Sequence, residues 1–275
     1  MEEKRRRLRE LLNEYAKEDV CLAFSGGIDS SLLLYLCQEA AVRNKRKLYA
    51  VTFDTVLHPP CDKETAERVA REAGAIHKII VVDELKQQEI RHNPKNRCYL
   101  CKKALYEQML SYGEKKGIHT LIEGSNEDDL HVYRPGLTAV KELGVKSPLA
   151  YLHITKEEVR SLAREYGIPV ADRPSSPCLA TRLPYGTEID LELLNRIDQG
   201  EEYLRGLGFY NVRMRVHGDI VRLEVDEKDF SALLGHRREI VQKLKELGFP
   251  YITLDLEGFR SGSMDQIQTR DNSEI

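Results

Sequence analysis

DVCLAFSGGIDSSLLLYL, residues 19–36, is the stretch on which the fold turns. Residues 19–24 are a short apolar run of strand length, and the run from Ile28 onward stays apolar over a helical length, so Ser25-Gly26-Gly27 must turn a strand into a helix. Two adjacent glycines allow a sharp turn and bring bare N–H groups to the positive end of the new helix, a place suited to a phosphate. The loop has neither the GxxxxGK[ST] nor the GxGxxG spacing. On these residues alone, a plain strand-to-helix turn capped by Ser30 stays open beside the anion reading.

Outward from this point the same alternation continues. Residues 48–53, 76–82 and 119–123 read as buried strands, and 28–44, 62–74 and 98–117 carry apolar residues at helical spacing. Strand and helix in turn predict right-handed crossovers and an α/β fold with a doubly wound parallel sheet. Thr155 and Glu158 form a capping box that opens a helix over 155–166, closed by Gly167. The first domain is therefore expected over 1–170. Four of the ten prolines fall in 169–187, so 171–187 is expected as a proline-rich active-site loop. Beyond it, a helix over 188–206, strands over 210–216 and 220–225 joined at Gly218-Asp219, helical segments to about 247 and a strand near 250–255 predict a smaller α+β domain over 188–260. VRMRVHGDIVRLEV, 212–225, suggests a hairpin with one solvated, arginine-bearing face. The polar tail 261–275 is expected to be flexible.

Of 275 residues, 42 are Lys or Arg and 45 are Asp or Glu, a net charge of −3, which does not favour nucleic acid as the main partner. MEEKRRRLRELLNEY at the start offers no apolar signal region, and no stretch approaches the ~18 apolar residues of a membrane span. No membrane and a cytoplasmic setting are the expectation. Six cysteines are not the density of a disulfide-stapled secreted domain, and in such a compartment a CxxC pair points to a metal or redox site more than to a structural bridge.

Several residues stand where chemistry would need them. Gly124-Ser125-Asn126-Glu127-Asp128-Asp129 follows the strand at 119–123, and ligands of open α/β sheets sit beyond the strands' carboxyl ends. Gly124, Asn126 and Asp128 are thus nucleotide or Mg²⁺ candidates, with capping of a turn as the competing role. Asp54, ending the second strand, divides the same way. Cys98 and Cys101 open a helix among Arg91, His92, Lys95, Arg97, Lys102 and Lys103, a setting that favours thiolates. Cys178 in the proline-rich loop is the third sulfur candidate. Cys21 and Cys37 read as inert core residues, and Cys61 as a weaker candidate. Three thiolates fit a [4Fe–4S] cluster with one open iron; zinc and a Cys98–Cys101 disulfide compete with it.

SGGIDSS resembles the phosphate loop of the PP-loop ATP-pyrophosphatase families. That resemblance implies ATP and Mg²⁺ as cofactors, Ser25, Gly26, Gly27 and Ser30 on phosphate oxygens, and Asp29 as a catalytic residue placing Mg²⁺. SGGIDSS, EGSNEDD at 123–129, YRPGLTAVKELGVKSPL at 133–149, RPSSPCLATRLPYGTEI at 173–189, the hairpin at 212–225 and GFRSGSM at 258–264 occur in one order. Together they resemble the LarE-type sulfur transferases over nearly the whole length. The resemblance implies adenylylation of a carboxylate on a pyridinium mononucleotide and its conversion to a thiocarboxylate, in making the nickel-pincer cofactor of lactate racemase. Its partners would be that small-molecule nucleotide and sulfide or a sulfur-donor protein, and the chain would form a homo-oligomer, possibly of hexameric size. Cys178 would be the catalytic sulfur in members that sacrifice it. Cys98 and Cys101 depart from those members and match the ones associated with a [4Fe–4S] cluster held by Cys98, Cys101 and Cys178. Arg182, Arg213, Arg215 and Arg260 are candidates for the substrate phosphate, against the competing role of solvated surface arginines. Alternatives are a tRNA thiolase of the same superfamily, an amide-forming synthetase, and a nonenzymatic ATP or iron–sulfur sensor.

Overall fold

The computed structural model describes residues 2–171 and 176–264. Met1, residues 172–175 of the proline-rich loop and all of the tail after residue 264 lie outside the described residues. In chain order the elements are α1 (Glu2–Tyr15), β1 (Val20–Ala23), α2 (Ile28–Arg43), β2 (Leu48–Thr55), α3 (Pro60–Ala73), β3 (Ile76–Val82), α4 (Gln88–Arg91), α5 (Arg97–Lys116), β4 (Thr120–Ile122), α6 (Gly136–Glu142), α7 (Pro148–Tyr151), α8 (Lys156–Glu165), α9 (Leu191–Gly206), β5 (Val212–His217), β6 (Ile220–Val225), α10 (Phe230–Gly235), α11 (Arg237–Glu246) and β7 (Tyr251–Leu254). Short 3₁₀ turns cover Glu127–His131 and Leu179–Arg182. No described helix is long and apolar enough to cross a membrane.

The chain divides into two compact units, one of residues 1–86 and 96–176, the other of 87–95 and 177–275. In the first, four parallel strands lie in the order β3-β2-β1-β4. Alternation along β1, β2 and β4 sends Val20, Leu22, Leu48, Ala50 and Ile122 to one cluster with α1, α2 and α8, and Cys21, Tyr49, Val51 and Leu121 to another with α5 and α6. Both faces are covered, as an all-parallel sheet requires. The Thr155–Glu158 capping box is formed at the start of α8. β3, at one edge of the sheet, departs from the sequence expectation of a buried strand: Ile76 and Val81 are exposed, whereas β4 at the other edge is buried throughout.

In the second unit β5 and β6 pair antiparallel and β7 joins β6 in parallel. α9 approaches β5 closely enough that a Cβ on Gly200 would meet the Met214 side chain at 2.4 Å. Here the solvated, arginine-bearing hairpin face is corrected. Five consecutive residues of β5, Val212 to Val216, are buried, Arg213 and Arg215 among them at 4% exposure each. Alternation marks which face a side chain takes, but it cannot say that the second face is also covered.

Candidate functional site

In the first unit the chain leaves β1 toward β2 on one side and β4 on the other, so the topological switch point lies between β1 and β4, where ligands of such sheets bind. Two loops meet there. Gly26 takes φ +72° and packs so tightly on α3 that an added Cβ would stand 3.0 Å from the Ala66 backbone nitrogen. Gly27 begins α2 and gives it no side-chain cap, leaving the helix's positive end to a ligand. Ser30 Oγ donates to the Gly27 carbonyl at 3.1 Å and accepts from the Ser25 amide at 3.3 Å, while the Ser25 and Ser30 hydroxyls lie 3.2 Å apart. Gly124, following β4, presses on this loop: a Cβ there would lie 3.0 Å from the Ser30 nitrogen.

Asp29, in the first turn of α2, projects to the β4 loop. Its Oδ1 accepts from the Asn126 side-chain amide at 3.0 Å, and its Oδ2 pairs with the Lys156 ammonium. Asn126 also caps the 3₁₀ turn, accepting from the Asp128 amide at 3.0 Å, so it both caps and reaches Asp29. Asp128 accepts from the Lys156 amide at 2.7 Å and thereby fastens the start of α8. Ser25, Gly26, Gly27, Asp29, Ser30, Gly124, Asn126 and Asp128 are thus gathered at one place. Asp54 stands within β2 and pairs with Lys63 at 2.7 Å, so it is not the cap of a turn.

Lys156 was not legible as a site residue, because it lies some thirty residues from the motif and looks like an ordinary helix-start lysine. Glu123 was also missed. It is buried, and burial, the largest single influence, pushes it toward its neutral form; the Lys102 ammonium at 3.2 Å and the hydrogen bonds from Ser147 and Ser125 together outweigh this and hold the carboxyl below its usual range. That pair ties α5 to the end of β4.

Cys98 and Cys101 stand in the first turn of α5, three apart and therefore on neighbouring positions of the helix surface. Cys98 is exposed and Cys101 half-buried, with Arg97 Nη2 at 3.7 Å from the Cys98 sulfur. The cationic setting is thinner than the sequence suggests, since Lys102 serves Glu123 and Lys103 serves Glu142 and Tyr99. Cys101 instead has the buried Glu84 as a neighbour, its Sγ donating over 4.0 Å. Cys21 and Cys37 are inert as expected, burial pushing each thiol up to about 12. Among the described residues no group of three or more His, Cys, Asp or Glu is gathered as a metal site.

In the second unit, half-buried Cys178 precedes the turn Leu179–Arg182. Arg182, 1% exposed, forms a fork on Glu201 at 2.8 and 2.7 Å and donates to the Pro177, Cys178 and Thr181 oxygens at 2.8, 3.2 and 3.0 Å. Its donors are spent on holding the cysteine loop. Arg213 lies over the Phe259 ring at 5.0 Å; burial first, then the charges of Arg182 and Arg215, bring it down to about 10 against the pull of Glu201. Arg215 pairs with Glu224 at 3.2 Å and donates to the Thr181 carbonyl at 2.8 Å. Arg222 bridges Glu224 and Asp255, on which Arg260 also rests at 3.1 Å. Three of the four sequence candidates, Arg182, Arg215 and Arg260, are therefore paired with Glu201, Glu224 and Asp255, acidic residues that the arginine motif itself did not reveal.

Comparison with known proteins agrees with this geometry. A PP-loop domain, ATP_bind_3, matches residues 1–132. The chain is 35% identical over 251 residues, 91% of its length and 90% of the relative's, to the pyridinium-3,5-bisthiocarboxylic acid mononucleotide synthase of Lactiplantibacillus plantarum. It is 36% identical over 272 residues, 98% of its own length and 100% of the relative's, to an uncharacterised protein of Synechocystis sp.. A tRNA-specific 2-thiouridylase MnmA of Rickettsia bellii is 27% identical over 191 residues, covering 56% of this chain and 51% of that one. With a phosphate loop seated at the switch point of a parallel sheet and a likeness that runs through both units, the chain belongs to the LarE family of PP-loop, ATP-dependent sulfur transferases.

Proposed function

We propose that this enzyme activates a carboxylate of a pyridinium-dicarboxylate mononucleotide with ATP and converts it to a thiocarboxylate, as a step toward the nickel-pincer cofactor used by lactate racemase. The observation that carries the reading is the 35% identity, over 91% of the chain, to a synthase of the bisthiocarboxylic acid mononucleotide. The N–H groups of Gly26, Gly27 and the first turn of α2 bind the β- and γ-phosphates, and Ser25 and Ser30 orient them. The substrate carboxylate attacks the α-phosphorus, the bond to the bridging oxygen breaks, and pyrophosphate leaves. A sulfur nucleophile then adds at the acyl carbon and AMP departs. Asp29 fits Mg²⁺ as a partly exposed oxygen donor beside the loop, and the ion would neutralise the leaving pyrophosphate.

For the sulfur, Cys98 and Cys101 fit a cluster by donor chemistry: two accessible thiols on one helical turn. With Cys178 they would supply three ligands to a [4Fe–4S] group, which when bound offers an open iron for a replaceable sulfide. Cys178 sacrificing its own sulfur is the competing route. Arg213, Arg215 and Arg260 would take the substrate phosphate, while Arg182 fixes the loop of Cys178. The second unit would serve substrate binding and subunit contacts in a homo-oligomer, a hexamer by family resemblance.

Protein reconstituted without oxygen and given sulfide tests the reading. It should bind about four irons per chain, consume ATP only with the pyridinium substrate, and make several products per chain. No substrate-dependent AMP would overturn the function. Loss of hydrogen sulfide from Cys178 in step with product would overturn the cluster route alone.

A further inference from the structure

Lys156 occupies a place that neither helix energetics nor stability explains. It is the first residue of α8, a helix ten residues long whose positive end disfavours a cation, and the next two positions are the expected acidic ones, Glu157 and Glu158. Its ammonium nevertheless turns onto Asp29, which lies in the first turn of α2. Partly exposed ion pairs contribute little to stability, and this pair is 32% and 20% exposed. The neighbouring carboxylates have other partners: Glu127 has His131 and His153, Asp129 has Arg134, and Asp128 holds the α8 backbone. Lys156 supplies the full positive charge on Asp29.

The N-terminus of α2 and a lysine around one carboxylate make a site that is balanced only while that carboxylate is bare. Once a divalent cation takes Asp29, an ammonium on the same oxygen is repelled. A lysine is a compact charge on a flexible stem with three donors, able to swing to a nearby anion. Resting on the ATP-site reading above, we propose that Lys156 is a phosphate-binding residue of this site, held in reserve on Asp29 until Mg²⁺ displaces it onto the pyrophosphate end of ATP.

The handover predicts responses of opposite sign in Lys156→Met, whose backbone amide still serves Asp128. Mn²⁺ titrated into nucleotide-free protein and followed by electron paramagnetic resonance should bind about tenfold more tightly, because its competitor is gone. Binding of α,β-methylene-ATP at saturating Mn²⁺ should weaken about tenfold, and kcat for pyrophosphate release should fall about a hundredfold. Lys156→Arg keeps the charge and should bind Mn²⁺ like the wild type. Unchanged or weaker Mn²⁺ binding in folded Lys156→Met, or unchanged nucleotide binding and kcat, overturns the inference. A wild-type protein that neither binds the analogue nor releases pyrophosphate overturns the ATP-site reading instead.

Discussion

The phosphate loop and the arginine core of the second unit handle charge in opposite ways. Around Gly26 and Gly27 the polar groups are small, the helix end is uncapped, and the carboxylate of Asp29 is shared between a neutral amide and a movable ammonium. Around Arg182 a guanidinium at 1% exposure is locked to a carboxylate at 0%, with every remaining direction filled by backbone or hydroxyl oxygen. The first arrangement leaves interaction energy for a ligand. The second uses it to fix a loop, since a buried charge without a partner costs several kcal/mol. Charged residues in a motif are thus ligand-binding or structural according to what already surrounds them.

The sharpest test of the difference is to remove one carboxylate from each region. Asp29→Ala should lower pyrophosphate release by about 10³-fold or more, while its urea unfolding midpoint stays near that of the wild type. Normal turnover by this variant would break the comparison at its active end. Glu201→Ala should do the reverse and destabilise the fold by about 3–5 kcal/mol, because it strands the buried Arg182; chemical denaturation measures it. A stability loss below about 1 kcal/mol would mean that the arginine core is not internally balanced.

A smaller effect is expected at Gly26, whose φ of +72° and 3.0 Å approach to Ala66 leave no room for a methyl group. Gly26→Ala should cost about 1–2 kcal/mol of backbone strain, read as a lower melting temperature, and should weaken ATP binding by displacing the loop. Ordinary affinity in this variant would show that the loop's N–H geometry does not hold the phosphates. The smallest effect concerns the support beneath the loop. Thr52 donates to the Phe24 carbonyl at 2.7 Å, so it accepts from the His77 Nε2–H at 2.8 Å, and the bare Nδ1 of the neutral ring is the atom that acid would charge. Burial holds His77 below the ordinary imidazole range, against a weaker pull from Glu67. The unfolded chain therefore takes up the proton more readily, and this stability is full above about pH 6.5 and is lost as pH falls through the lower folded value. His77→Gln should shrink the difference in unfolding midpoint between about pH 7.5 and about pH 5.5. An unchanged difference would remove His77 from the loop's support.

Local patterns made most of the secondary structure legible. The run before Ser25 had to hold a strand and the apolar run after Ile28 a buried helix, and the Thr155–Glu158 pair marked the cap at which α8 begins. The site was legible as far as its loops, because glycine pairs and strand-end carboxylates are sequence signals with fixed steric and electrostatic meanings. The exposed edge of β3 and the burial of Arg213 and Arg215 were not, since both depend on which neighbours the sheet acquires.

By itself, then, the sequence determined the alternation of strands and helices, the glycine turn at Ser25–Gly27 and the family to which the chain belongs, all of them properties of residues close together in the chain. Only the tertiary structure decided that Lys156 meets Asp29 across 127 positions of sequence, that Glu123 anchors the helix of Cys98 and Cys101 through Lys102, and that Glu201 claims Arg182. Those pairings arise because chain segments far apart share one strand end or one buried layer, where the low polarity of the surroundings makes each charge seek a partner that no local pattern names.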